Sequence, residues 1–200
     1  MSTIALIFIC YAIGSLSFAV LVSRACGLPD PRTYGSGNPG ATNVMRTGKK
    51  IAAVLTLLGD GAKGWAAVFL AQQLAPSWGV SDAGIAACAL ATFLGHLFPM
   101  FFGFKGGKGV ATTAGILLAL NLWLGLTVLA SWIVTFALTR ISSLSALIAA
   151  ILAPVYAWFF LSKVYVAMVL VLALLLIWRH RANIKNLVQG KEGGFKKAQE

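Results

Sequence analysis

The sequence predicts an all-α integral membrane protein with seven transmembrane helices, two or more of them short, its amino terminus outside and its carboxyl terminus cytoplasmic. Three observations carry that prediction. Hydrophobic residues make up 59% of the chain and charged ones 10%, with a mean hydropathy of +0.86, whereas a soluble domain keeps roughly a quarter of its residues charged. Long uncharged runs recur along the 200 residues. The 16 Lys and Arg, against five Asp and Glu, fall almost entirely between alternate runs, as the cytoplasmic bias of basic residues requires.

The elements follow in order. A spanning helix needs about 20 apolar residues, and Thr3 to Ser23 supplies an uncharged run with no basic residue before it, unlike a cleaved signal peptide. Ile51 to Ala75 is a second span that carries Asp60 and Lys63, and Ala83 to Phe102 is a third. The run Val110 to Thr139 would extend about 45 Å as one helix, too far for a single crossing. A break near Asn121 to Gly125 turns it into two short spans. Ile141 to Leu161 and Val164 to Trp178 complete seven. With that count every Lys and Arg but Lys63 and Lys163 lies on one side; read as one span, the long run would divide them almost evenly. Trp78, Trp123 and Trp158 then fall near the outer ends and Trp178 at the inner end of the last span, where aromatic belts sit. No second domain, repeat or linker interrupts residues 1–200.

Composition also excludes functions. So apolar a chain is neither disordered nor a nucleic-acid-binding domain. Cys10, Cys26 and Cys88 are odd in number and lack metal-type spacing. His96 and His180 are the only histidines, and the carboxylates are scattered, so no metal site or cofactor is expected.

Three segments on the inner side are too rich in glycine, amide and hydroxyl groups to be simple connectors. Tyr34 to Arg46 has glycines at 35, 37 and 40, which let the backbone bend and expose N–H groups, while Ser36, Thr42 and Asn43 add neutral donors and Arg46 a fixed cationic fork. That inventory suits an oxyanion, although a turn with a positive-inside arginine has the same look. Phe104 to Thr112 carries Lys105, Gly106, Gly107, Lys108 and Gly109 directly into a helical run, and amides at a helix start with two lysines form an anion site. It is no Walker loop, because Gly109 follows the lysine. In Arg179 to Leu187, a helix that runs on would put His180 and Asn183 on one face with Leu187; a basic stop-transfer anchor is the plainer reading. Asp60 and Lys63, at i and i+3 inside a span, are expected to pair structurally, and His96 reads as a packed structural histidine.

Taken together and in this order, Gly35 to Arg46, Gly95-His96 with Phe104 to Thr112, and Arg179 to Glu192 resemble the bacterial acyl-phosphate glycerol-3-phosphate acyltransferase (PlsY) family over essentially the whole chain. The resemblance implies a single polytopic acyltransferase domain over 1–200 in the inner membrane of a bacterium. It would move a fatty acyl group from acyl phosphate to the 1-hydroxyl of glycerol 3-phosphate, giving lysophosphatidic acid and phosphate for phospholipid synthesis. It also implies that Ser36 and Arg46 act in the site, that Lys105 and the loop of Gly106, Gly107 and Gly109 hold glycerol phosphate, that His180 and Asn183 are active-site residues, and that Glu192 is a structural support.

Both substrates are phosphate anions. At an effective dielectric of 20, two divalent charges about 6 Å apart repel by roughly 11 kcal/mol, so a site rich in cations and free of acidic residues is expected. A covalent intermediate is not, because acyl phosphate is already an activated anhydride and no base for Ser36 as nucleophile is identifiable. The hydroxyl proton is expected to pass to a substrate phosphate oxygen, with His180 as the other acceptor. A transporter of a phosphorylated solute would also want cationic loops, but it should carry polar groups deep in several spans.

Overall fold

The computed structural model describes residues 2–193; the end of the chain at Glu200, expected on the cytoplasmic side, lies outside them. The described chain is all-helical: α1 (Ser2–Gly14), α2 (Phe18–Ala25), α3 (Ala41–Met45), α4 (Lys50–Trp78), α5 (Asp82–Leu97), α6 (Val110–Leu120), α7 (Leu122–Thr139), α8 (Ser142–Phe160), α9 (Lys163–Arg179) and α10 (Arg181–Val188), with a 3-10 turn at Met100–Phe102 after α5. Among the described residues four stretches, α4, α5 with its turn, α7 and α8, are long and apolar enough to cross a membrane, and the bent pairs α1–α2 and α9–α10 bring the number to as many as six. The eleven residues of α6 extend only about 16 Å.

Two expectations need correction. The run Thr3 to Ser23 is not one helix: it bends by 41° between α1 and α2. There the Ser15 hydroxyl turns back to the Tyr11 carbonyl at 2.8 Å, and the Leu16 carbonyl, left without a helical partner, accepts from Lys63 Nζ at 2.5 Å. Likewise the last helix does not run on straight through His180; α10 leaves α9 at 60°, so His180 sits at the junction, capping both helices, with Asn183 in the first turn of α10. The break at Asn121 falls where the sequence reading puts it. Asn121 is extended and caps α7, its side chain accepting from the Leu124 N–H at 3.0 Å.

Interior contacts follow glycines. A methyl on Gly64 or Gly115 would run into the backbone of Thr112 or Gly61, and one on Gly14 or Gly95 into Thr92 or Tyr11. Small residues thus let α4 meet α6, and α1 meet α5, backbone to backbone. Phe93, Leu97, Ile116, Leu117, Leu124 and Leu172 fill the main core between α5, α6, α7 and α9, while α1, α4 and α5 enclose a second cluster around Leu6 and Cys10. Large apolar side chains such as Phe8, Val134, Leu138 and Phe159 point outward, as do Trp78, Trp123, Trp158 and Trp178, the inverse of a soluble surface and suited to lipid.

Candidate active site

The three glycine- and amide-rich segments converge on one cavity of about 680 Å³. Its mouth is polar, lined by Ser36 of the α2–α3 loop, Asn43 within α3 and Arg46 at its end, by Lys108 and Gly109 before α6, and by His180, Asn183 and Glu192 around α10. Inward it becomes an apolar arm walled by Leu118 of α6, Val128 and Trp132 of α7, Ala149 and Ala153 of α8, and Leu172 and Leu176 of α9.

The first loop is held by its own residues. Asp30 takes a bidentate grip from Arg32 at 2.7 to 3.2 Å, and the same guanidinium donates to the Phe102 carbonyl at 2.7 Å, tying the loop to the turn after α5. Arg32 beside it holds the Asp30 carboxyl below the usual carboxylate range, with burial opposing. Asn43 is buried and donates to the Pro31 and Tyr34 carbonyls at 2.7 and 3.1 Å while accepting from the Ser36 N–H at 3.0 Å. Both its amide protons are therefore engaged in shaping the loop. Ser36 and Arg46 stay exposed at the mouth, and among the described residues no ion pair claims Arg46.

The second loop is fixed from behind. Gly106 and Gly107 are buried against the end of α5, where a methyl would meet the His96 and Leu97 carbonyls or the His96 ring. The Gly107 N–H donates to the His96 carbonyl at 3.2 Å. Arg179 was expected only as part of a motif, yet it clamps the loop, donating through Nε to the Gly107 carbonyl at 3.1 Å and through Nη2 to the Gly106 carbonyl at 2.9 Å. Gly109 reaches the cavity itself at φ +87°, a conformation that glycine adopts freely. Of the two lysines, Lys108 lines the cavity, whereas Lys105 is exposed and lies off the lining.

At the third segment the His180 Nδ1 stands 2.8 Å from the Leu176 carbonyl. A carbonyl only accepts, so Nδ1 carries the proton there and Nε2 keeps its lone pair. Asn183 is engaged at both ends: Oδ1 accepts from Lys108 Nζ at 2.7 Å and Nδ2 donates to Glu192 Oε1 at 2.5 Å, which also receives the Ser143 hydroxyl at 2.6 Å. Burial disfavours the Lys108 charge and moves it below the usual lysine range, with Glu192 opposing that fall. Burial pushes the Glu192 carboxyl up, but hydrogen bonds from Ser143, Asn183 and Asn186, with the Lys108 charge, outweigh it and hold the group below the usual range.

The expectation of a site free of acid needs amending, because Asp60 and Glu192 both line the cavity. Neither is loose. Glu192 is saturated by the donors just named, and buried Asp60 lies 2.9 Å from Lys63 Nζ and 3.6 Å from His96 Nδ1. Thr112 Oγ1 stands 3.2 Å from that same ring nitrogen. Lys63 joins this cluster to the bend between α1 and α2. Arg179 and Asn186 fall within a segment that the sequence singles out but without a role of their own, and Ser143 carries no signal beyond a serine-rich helix start. Among the described residues no three His, Cys, Asp or Glu side chains gather to hold a metal ion.

Residues 4–190 match the family described as Glycerol-3-phosphate acyltransferase. The chain belongs to the glycerol-3-phosphate acyltransferase family. Family members similar to it include the glycerol-3-phosphate acyltransferases of Nitrosomonas eutropha, 59% identical with 96% of each chain covered, and of Thiobacillus denitrificans, 61% identical with 94% of each covered. Among solved structures it is similar to the glycerol 3-phosphate form of PlsY, described as an integral membrane glycerol 3-phosphate acyltransferase. That match has a TM-score of 0.90 and 36% identity over 98% of this chain and 96% of the other. The lysophosphatidic acid form matches with a TM-score of 0.89 and 34% identity. Membership in a family of acyltransferases sets aside the transporter reading.

Proposed function

We propose that this protein transfers a fatty acyl group from acyl phosphate to the 1-hydroxyl of glycerol 3-phosphate, giving lysophosphatidic acid and inorganic phosphate. One observation carries the reading: a single cavity joins a cationic, amide-lined mouth to an apolar arm, which suits a reaction between a water-soluble phosphate and a lipid-tailed one. Arg46 and Lys108 counter the repulsion of the two anions, with Lys105 drawing them in from outside. Gly109 and the α6 amides receive a phosphate. Gly106 and Gly107 act behind them by letting the loop lie flat on α5. Asn43 shapes the first loop around Ser36. Asp60, Lys63, His96 and Glu192 support the site.

His180 Nε2 receives the 1-hydroxyl as a hydrogen-bond acceptor, and Asn183 fixes the geometry through Lys108 and Glu192. The alcohol oxygen bonds to the acyl carbon as the carbon–oxygen bond to phosphate breaks, and the hydroxyl proton, released from its hydrogen bond to Nε2 as the oxygen attacks, leaves on the departing phosphate. Membrane lipid surrounds the apolar faces. No cofactor enters the step. Purified protein given acyl phosphate and glycerol 3-phosphate is expected to release phosphate and lysophosphatidic acid in equal amounts. It should turn over poorly with an acyl thioester, an expectation that rests on the family resemblance; comparable rates with the thioester would overturn the donor.

For orientation we propose seven crossings, with α1 and α2 as one broken span, followed by α4, α5, α6, α7, α8 and α9, the amino terminus outside and the site at the cytoplasmic face of the inner membrane. The placement of nearly all Lys and Arg at one end supports this. A cytoplasmic reporter fused after the last residue should be active. Activity only from an exported reporter would sink the seven-span reading.

A further inference from the structure

Helical threonines in an apolar setting commonly return the hydroxyl to a carbonyl one turn back. Buried Thr56 and Thr92 do so, as do the partly exposed Thr127, Thr135 and Thr139, at 2.8 to 3.0 Å. Thr113 does not. It is 9% exposed, lines the cavity, and its Oγ1 has no hydrogen-bond partner among the described residues. The carbonyl behind it, that of Gly109, accepts the Thr113 N–H at 2.8 Å, so the backbone there is regular and only the side chain is left without a partner. A buried hydroxyl in that condition is unfavourable, and groups of this kind recur where a ligand completes them.

Its position along α6 says which part of a ligand it meets. Thr113 lies about 6 Å beyond Gly109 and about 7.5 Å before Leu118 at the helical rise of 1.5 Å per residue. It therefore stands between the anion-binding loop and the apolar arm, both of which line the same cavity. In an acyl phosphate the carbonyl group lies between the phosphate and the hydrocarbon tail. A phosphate held at Lys108 and Gly109, with its tail along Leu118 and Trp132, puts that carbonyl at the level of Thr113.

We infer that Thr113 is a further catalytic residue, whose Oγ–H donates to the acyl carbonyl oxygen and stabilises the negative charge that gathers there during transfer. The assignment rests on the acyl-phosphate reading above. As the glycerol hydroxyl oxygen bonds to the acyl carbon, the carbonyl oxygen takes the electron pair. When the carbon–oxygen bond to phosphate breaks, the carbonyl re-forms and phosphate leaves with that bond's electrons and the hydroxyl proton. A donor already in place and shielded from water requires no reorganisation at that moment.

The test compares Thr113→Val, which replaces the hydroxyl by a methyl of similar size, with Thr113→Ser, which keeps it. Loss of one such donor lowers kcat by roughly 100- to 1,000-fold, so Thr113→Val should fall by that order in phosphate release, with KM for glycerol 3-phosphate little changed. Thr113→Ser should recover most of the rate. The thermal midpoint of Thr113→Val should equal or exceed that of the wild type, because a partnerless buried hydroxyl is gone; a structural role would lower it together with activity. An active wild type with an equally active Thr113→Val variant would overturn this assignment alone. A loss of activity and stability together that serine does not restore would also overturn it. A wild type that does not turn over acyl phosphate would overturn the functional reading, and this inference with it.

Discussion

Replacing His180 with alanine is expected to lower kcat by about 100- to 10,000-fold, the range that a positioned acid–base or orienting group commands, and to leave KM for glycerol 3-phosphate within a few-fold. The ring is 2% exposed, lines the cavity, and presents Nε2 because Nδ1 is bound to the Leu176 carbonyl. Orientation counts only as the hydroxyl attacks, so the loss belongs to the transition state. Phosphate accumulation in steady state, with each substrate varied in turn, separates the two constants. On the proposed route, in which the departing phosphate takes the proton, His180→Gln should keep a substantial part of the rate and a pH profile like that of the wild type, its amide oxygen accepting the hydroxyl in place of Nε2. If the imidazole were itself the base, the glutamine variant would be as slow as alanine. Wild-type kcat in a folded His180→Ala protein would remove the residue from the site.

The second large effect falls on stability. Lys63→Met takes the cation from Asp60, 2.9 Å away, and strips the Leu16 carbonyl of its donor. Breaking a buried pair from one side costs about 3–5 kcal/mol because the other charge stays behind unpaired, and the thermal midpoint in detergent should fall on the order of 10 °C. The double replacement Asp60→Leu with Lys63→Met should recover much of that loss, since an apolar pair of similar volume carries no desolvation penalty. A Lys63→Met protein as stable as the wild type would mean that the pair supports nothing.

Fold class was legible because lipid imposes a strong compositional constraint: long uncharged runs with basic residues between them have few alternative structures. The break at Asn121 was legible too, since an unbroken helix would have been too long and a capping residue stood at the right place. The bends at Ser15–Ser17 and at His180 were not. Neither contains proline, and each depends on a partner remote in sequence or a turn that local propensity does not record: Lys63 for the first, the departure of α10 towards Lys108 and Glu192 for the second. For the site, glycine spacing located the loops but could not separate Lys105 from Lys108, because two lysines three residues apart differ only in which way the folded loop turns them. In sequence Arg179 is one cation among many, singled out only by the loop carbonyls that the fold brings to it, and Ser143 and Thr113 carry no signature that distinguishes a hydroxyl that meets a partner from one that merely fills space.

Arg179 grips the glycine loop and His180 faces the cavity, and the two are consecutive in the chain. A helix that tilts to match a thicker or thinner bilayer therefore carries both with it, and the loop follows through two hydrogen bonds. With the roles proposed above, the distance between the phosphate-binding loop and the group that aligns the acceptor is in this way set by one peptide unit rather than by the spacing of separate helices. A protein that works within the lipid whose synthesis it feeds can drift in depth as its surroundings change composition while its reacting groups stay in register.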